Sequence, residues 1–483
     1  MIIIRMTDLF FVDDSLVFCR ASLVDCQKIQ DLLDCYEKAS DQKLNRNKTG
    51  LFFSKATPPN ILDQIKTALG VQEIKQYERY LGLPSLVGKK KKASLLYIKE
   101  RVAAKLQGWK EQLLFQVGWE VLLEAVIQAI PTFAMSCFKL PLTLCHEIEA
   151  LIKNFWWGQR GNQRKIHWSK WKSLCQPKSL GGLDFKELQK FNDAMLAKQV
   201  WRLANNQSSL FHRFFKEKFF LNGSIFYAKE GNDSFAWKSI LKGRDVVRKG
   251  LQWRVGNGAL IRIYHDSWLL DPYNKRVVSP RVFLGNDAQM AVLIDKEHRC
   301  WLQKMVGNIF LPHEVAAINS IPLSYGECVD KVFWSHSPDG KYSVRSAYRL
   351  LMEEELSGAP SPSDLTPTKR IWKGIWSLCV PNRVKTLLWR VGTDSLPSKT
   401  NLLKRRVLTD DICPGCKLKS ETSFHALCSC SELFSVWKGK FEWLINLSKE
   451  CSSFVEVIQL CQSRNDLLEL FTMIVSLIWT RRN

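Results

Sequence analysis

Several features are missing from this chain of 483 residues, and each absence closes a route. No apolar run reaches the ~20 residues that a membrane-crossing helix needs. The most apolar stretch, Val121 to Cys145, is broken by Glu124, Gln128, Pro131 and Lys139. The run from Phe471 to Trp479 is only about half the required length, so no membrane partner is expected. Met1-Ile2-Ile3-Ile4-Arg5 is too short, and wrongly flanked, to act as a secretory signal. The patterns GxxxxGK followed by Ser or Thr, HExxH and GxSxG do not occur, so a P-loop NTPase, a zinc protease and a serine hydrolase gain no support. No internal repeat is found. Acidic residues are in deficit, with 47 Asp and Glu against 70 Lys and Arg and a formal charge of +23. Such an excess gives a polyanion an electrostatic footprint, and nucleic acid is the expected partner.

What remains is the composition of a globular protein. Apolar residues make up 46% of a chain long enough for two to four domains, each with its own core. The positive charge is uneven: residues 1–50 carry seven basic and eight acidic residues, whereas residues 151–190 carry nine and two. The basic surface should therefore lie downstream of the first segment. Fifteen cysteines at irregular spacings suit a reducing compartment, cytoplasmic or nuclear.

Along the chain, Leu9–Val12 and Leu16–Cys19 read as short apolar strands around Asp13-Asp14-Ser15, which puts two carboxylates at a hairpin tip. Residues 24–39 have helical spacing and Leu44–Ser54 returns to strand character, an α+β order. From Ser94 to Lys218 apolar residues recur at three and four, so the region should be mostly helical. Residues 219–350 are richer in Gly, Trp and β-branched residues and read as mixed or strand-leaning. Pro and Ser crowd Ser357 to Pro367, the clearest linker, after which a separate module should begin near Lys369.

Three constellations could carry chemistry. Adjacent Asp13 and Asp14 at a hairpin tip could hold Mg2+, a hard ion that takes carboxylate oxygens, although Asp-Asp is also ordinary turn chemistry. Residues 151–190 interleave Trp156, Trp157, Trp168 and Trp171 with Arg160, Arg164, Lys165, Lys170 and Lys172, a mixture suited to phosphate contact and base stacking. At these spacings the tryptophans are expected in a core and the basic residues on a nucleic-acid surface. The sharpest signal is Cys413-Pro-Gly-Cys416, followed after eight residues by His425 and after four more by Cys430. Three thiolates and one imidazole suit tetrahedral Zn2+, and four protein ligands leave no open position, so such a site is structural and not catalytic. Cys428 competes with Cys430 for the fourth place.

Phe11-Val12-Asp13-Asp14 between apolar strands resembles the metal-holding motif of reverse transcriptases, and its surroundings are closest to plant non-LTR (LINE-type) retrotransposons. Val12 stands where those elements usually have Ala. The resemblance continues through Leu44-Asn45-Arg46-Asn47-Lys48-Thr49 and Tyr80-Leu81-Gly82-Leu83-Pro84. It then runs through Leu106-Gln107-Gly108-Trp109-Lys110, Ala129-Ile130-Pro131-Thr132, Phe155-Trp156-Trp157-Gly158, Ile166-His167-Trp168, Gly181-Gly182-Leu183 and Trp253 to Gly258. It implies metal binding at Asp13 and Asp14, assistance by Lys48 at a nucleoside triphosphate, RNA and DNA as partners, and a fourth zinc ligand at Cys430. Trp119 and Glu124 stand where basic residues are usual, which removes positive charge from a helix that should face the template.

The resemblance also implies an order of parts: a partial palm over 1–93, a helical thumb over 94–218 and a connector over 219–356. A linker over 357–368 then leads to a zinc-binding domain over 369–460 and a helical tail over 461–483 that points toward a ribonuclease H-like domain. Only twelve residues precede Asp13, too few for the further palm aspartate and the fingers that polymerisation requires. The expectation is a mostly helical α+β product of a truncated element that binds nucleic acid and does not polymerise alone. Part of a longer RNA-directed DNA polymerase, or a domesticated zinc-containing RNA- or DNA-binding protein, are the alternatives.

Overall fold

The computed structural model describes residues 8–11, 14–43, 45, 49–54, 56–71, 82–84, 87–88, 90–110, 116–158, 165–221, 223–231, 233–271, 274–295, 297–323, 328–357, 366–447, 453–462 and 467–482. The fold is α+β and mostly helical. It divides into two compact units, Met1–Leu95 with Asn206–Phe235, and Leu96–Asn205 with Ala236–Asn483.

In the first unit the expected hairpin is present: strands Asp8–Phe11 and Asp14–Val17 pair antiparallel, with Leu9 opposite Leu16 and Phe11 opposite Asp14. The second strand therefore starts at Asp14, which is a ladder residue. Helix Leu23–Ser40 begins where Ser22 accepts a hydrogen bond from the Asp25 N–H at 3.2 Å, and stops at Asp41 in the left-handed region. It packs against helix Pro59–Leu69, which opens on proline and closes on left-handed Gly70. The strand expected over Leu44–Ser54 is not formed among its described residues. Leu51 makes only an isolated bridge, and the Thr49 hydroxyl donates to the Asn45 carbonyl at 3.0 Å, a local bond that competes with ladder pairing.

The second unit is organised by helix Leu188–Asn205, which buries Leu188, Leu196, Ala197, Val200 and Leu203. Asn192 on this helix is fully buried, and its amide meets three backbone groups. It accepts from the Leu140 N–H at 2.8 Å and donates to the carbonyls of Met135 and Phe138 at 2.8 and 3.0 Å. The two carbonyls are orphan groups at the end of helix Thr132–Cys137 and the Leu140 N–H follows just beyond it, which explains how so polar a side chain stays in the core. Helices Val344–Ser357 and Arg244–Gly250 lie against the same helix, and the Tyr342 hydroxyl donates to the Ala194 carbonyl at 2.7 Å.

The mixed region carries short antiparallel pairs. Strand Leu251–Arg254 pairs with Lys331–Trp334, and the loop that follows, Val255 to Leu260, wraps around the carboxylate of Asp330. That carboxylate accepts from the N–H groups of Gly256, Gly258 and Leu260 at 2.7, 2.9 and 2.8 Å. Beneath the loop lies a core in which Trp268 stacks on Trp301 at 6.3 Å between ring centroids.

The Gly181-Gly182 pair is a packing requirement. Gly181 has φ 87 and lies against the Trp372 ring, while a Cβ on Gly182 would stand 1.8 Å from the Gln176 carbonyl oxygen. The clash would set the new Cβ against backbone, which no rotamer relieves. Gly182→Ala is expected to destabilise the second unit by about 3 kcal/mol, read as a lower urea midpoint at an unchanged slope.

Candidate metal centre and basic surface

The segment Ile412 to Ser420 folds back on itself, closed by an antiparallel bridge between its two ends and by the Cys413 N–H donating to the Lys419 carbonyl at 2.8 Å. The Lys417 N–H donates to the Cys413 carbonyl at 2.9 Å, and Lys417 takes φ 56 to complete the turn. Pro414 and Gly415 thus let the two thiols point the same way. The other two groups come from a widened helical turn over His425–Ser429, in which the Cys430 N–H reaches the His425 carbonyl at 3.1 Å. A five-residue hydrogen bond of this kind stacks residues that an α-helix would splay apart.

Together these turns bring Cys413, Cys416, His425 and Cys430 into one cluster, with all four ligand atoms within 4.8 Å of one another. Cys413 Sγ and Cys430 Sγ are 3.9 Å apart, and Cys416 Sγ and His425 Nε2 are 3.4 Å apart. Tetrahedral zinc with bonds of about 2.3 Å to sulfur and about 2.0 Å to nitrogen needs ligand atoms about 3.5 to 3.8 Å apart, so the donor set fits. Cys428 is buried outside the cluster. Among the described residues this is the one group of three or more potential ligands that converges in this way.

The surroundings of His425 and Cys416 favour metal over protons. Ser429 Oγ lies 3.4 Å from His425 Nδ1, which leaves Nε2 for the metal. Burial holds the His425 imidazole below its usual pKa, so it is neutral near pH 7, as a ligand must be. Backbone N–H groups of Leu418 and Lys419 aim at Cys416 and hold its thiol below the usual range. Burial pushes the Cys430 thiol up to about 11, a proton that a divalent ion would displace.

The other predicted residues fare differently. Asp13, Lys48, Arg160 and Arg164 lie outside the described residues; for Asp14 only its place in the strand is described. Lys165 and Lys170 are exposed and form no ion pair among the described residues. Lys172 is exposed too, but its ammonium lies 2.5 Å from Glu355, whose carboxylate holds it above the usual lysine range. Glu355 also pairs with Lys190.

Trp156 and Trp157 are buried, as their spacing predicts. Trp156 packs edge-on against Phe185 and Trp389 at 5.5 and 6.4 Å, and Trp171 stacks on Phe185 at 5.7 Å. These rings, with the Trp389 N–H donating to the Gly181 carbonyl at 2.8 Å, seat helix Asn382–Gly392 and are not available as a base-stacking platform. Trp119 and Glu124 are both half-buried. Trp119 packs on Phe155 at 5.3 Å, and burial pushes the Glu124 carboxyl above its usual range.

Two residues beside the centre escape sequence reasoning. Glu421 is 1% exposed, and the guanidinium of Arg482, at the end of helix Leu468–Arg482, forms an ion pair with it. Nothing local marks either one, since Glu and Arg are common surface residues.

A family described as zinc-binding in reverse transcriptase matches residues 342–437, a span that contains all four clustered residues. The cluster is thus that of a reverse-transcriptase zinc-binding module. The chain belongs to the family of retrotransposon-derived reverse-transcriptase proteins. It is similar to a putative ribonuclease H protein of Arabidopsis thaliana, 29% identical over 378 residues, which is 72% of this chain and 58% of that relative. It is also similar to an uncharacterized mitochondrial protein of Arabidopsis thaliana, 37% identical over 145 residues, 30% of this chain and 94% of that relative. The chain thus spans about 58% of the length of the first of these relatives. No helix among the described residues is long and apolar enough to cross a membrane.

Proposed function

We propose that this chain is the nucleic-acid-binding portion of a plant LINE-type retrotransposon reverse transcriptase, held in shape by one structural Zn2+ on Cys413, Cys416, His425 and Cys430. The observation that carries the reading is the convergence of these four ligand atoms inside the matched zinc-binding span. The ion would cross-link two turns of backbone that have little core of their own, and its chemistry there is that of a closed tetrahedral site. RNA and DNA are the partners, drawn by the +23 charge. Lys165 and Lys170 make phosphate contacts, joined by Arg160, Arg164 and Lys172.

In the same reading residues 1–93 form a partial palm, 94–218 a thumb, 219–356 a connector and 369–460 the zinc-binding domain, with 357–368 as linker and 461–483 as the helical tail. Asp13 and Asp14 are the Mg2+ ligands of the palm and Lys48 its triphosphate contact. The protein works in the nucleus or cytoplasm.

The reading is tested by fluorescence anisotropy of a labelled RNA at several salt concentrations. Affinity should fall steeply with salt, and Lys165→Ala with Lys170→Ala should flatten the slope of log affinity against log salt by about 1.5, from about 0.7 to 0.9 per lost phosphate contact. Lys172→Ala should have a smaller effect, since Glu355 competes for that ammonium. Binding that is indifferent to salt would refute the electrostatic interface.

A further inference from the structure

The zinc-binding span that the family defines ends at residue 437, yet the structure closes the cluster with a helix from beyond it. Helix Leu468–Arg482 is anchored at both ends. At its first turn Glu469 accepts from the Cys379 N–H at 2.8 Å. In the same turn, fully buried Phe471 stacks on Trp437 at 5.4 Å and lies 5.9 Å from Phe441. At its last turn the Arg482 guanidinium reaches both the Glu421 carboxylate and the Cys413 thiol.

Glu421 is itself tied to the centre. Its other carboxylate oxygen accepts from the Lys399 N–H at 3.0 Å, its own N–H donates to the Asp411 carbonyl at 2.7 Å, and its carbonyl accepts from the Thr400 N–H at 3.1 Å. It therefore sits at the junction between helix Lys399–Lys404 and the Cys413 turn. A carboxylate this buried needs a cation or several donors, and Arg482 supplies the cation.

Three thiolates, a neutral imidazole and a divalent ion leave one negative charge in excess, which a nearby donor with positive charge stabilises. The guanidinium is suited to this because its planar fork presents donors in two directions at once, which an ammonium does less well. From this arrangement we infer that Arg482 is a positioning residue of the zinc centre, bridging Glu421 and the Cys413 thiolate, and that metal binding and docking of helix Leu468–Arg482 strengthen each other. Metal loss would then release the helix, and loss of Arg482 would weaken the metal, because a coupling between two events acts equally in both directions.

The inference rests on the zinc reading above, and the test separates the two. The full chain is titrated with zinc against a chromophoric chelator, and hydrogen exchange of residues 468–482 is followed with and without the metal. The unaltered chain should bind one zinc per chain and protect the helix when loaded. Arg482→Ala should keep that stoichiometry but bind about 10 to 100-fold more weakly, with the helix exchanging faster even when loaded. Arg482→Lys should recover helix protection more fully than zinc affinity, since it keeps the charge for Glu421 and loses the fork. Slow exchange in helix Leu188–Asn205 is the control that each variant is folded. If the unaltered chain binds no zinc, the metal reading itself is wrong. If it binds zinc but Arg482→Ala matches its affinity, or if the helix exchanges at the same rate with and without metal, the coupling is overturned.

Discussion

Substituting Ser for both Cys413 and Cys416, or stripping the protein with a strong chelator, is expected to abolish binding of one zinc per chain and to unfold the backbone around the cluster. The effect is large because the ion replaces a core that the segment does not have. Among residues 405–420 only Cys413 is buried, whereas Leu418 is 81% exposed. Structural zinc contributes about 10 to 16 kcal/mol of apparent binding energy in small finger peptides, comparable with the whole stability of a typical domain of about 5 to 15 kcal/mol. Metal analysis by mass spectrometry should give about one zinc for the unaltered chain and none for the double variant. Limited proteolysis should then cut between residues 405 and 430, sites protected in the loaded protein. An unchanged metal content in the double variant would refute the ligand assignment. Each thiolate formed on binding releases a proton, so the apparent affinity should fall as pH falls. His425 contributes little to that dependence near neutrality, because burial keeps its imidazole neutral there.

Asp330→Ala should be the most damaging single substitution away from the metal centre. It would leave the N–H groups of Gly256, Gly258 and Leu260 without their acceptor, in a loop where Asp330 is 5% exposed. Each unsatisfied buried donor costs about 1 to 3 kcal/mol, and because two of the three bonds are only part-buried the loss should stay below the full threefold sum, at about 3 to 6 kcal/mol. Asp330→Asn should cost less, because its one amide oxygen can keep the bonds from Gly256 and Gly258 and only the Leu260 N–H is left facing the NH2 group. Chemical denaturation followed by tryptophan fluorescence reads this directly, since Trp268 and Trp301 lie in the core beneath the loop. A loss below about 1 kcal/mol would show that water replaces the carboxylate and that the loop is not held by it.

The Asp330 cradle also shows what reading along the chain can and cannot recover. Trp253-Arg254-Val255-Gly256-Asn257-Gly258 stands out as a landmark, and its glycines announce a backbone under geometric demand. The demand itself comes from a single carboxylate 74 positions beyond Gly256, visible only once the chain has folded. The region 151–190 repeats the lesson. Its charge asymmetry is plain in composition, but which of its cations have a partner depends on Glu355, 183 positions from Lys172. The spacing of Trp156 and Trp171 points to a core, and the structure supplies its partners, Phe185 and Trp389.

Local signals were legible wherever the cause is local. The two short apolar runs around Asp13-Asp14-Ser15 produce a hairpin, the Ser22 cap starts a helix, and Cys413-Pro-Gly-Cys416 with His425 and Cys430 lies close enough in sequence for two turns to assemble it. The helical character, the basic charge and the candidate zinc ligands were thus determined by sequence alone, because each follows from periodicity, composition or short spacing. Only the tertiary structure turned Trp119 and Glu124 inward, left the described part of Leu44–Ser54 without a strand, and brought Arg482 and Glu421 to the metal centre. The reason is common to all three: pairing, burial and charge compensation between distant residues depend on which surfaces meet, and no window of sequence contains both partners.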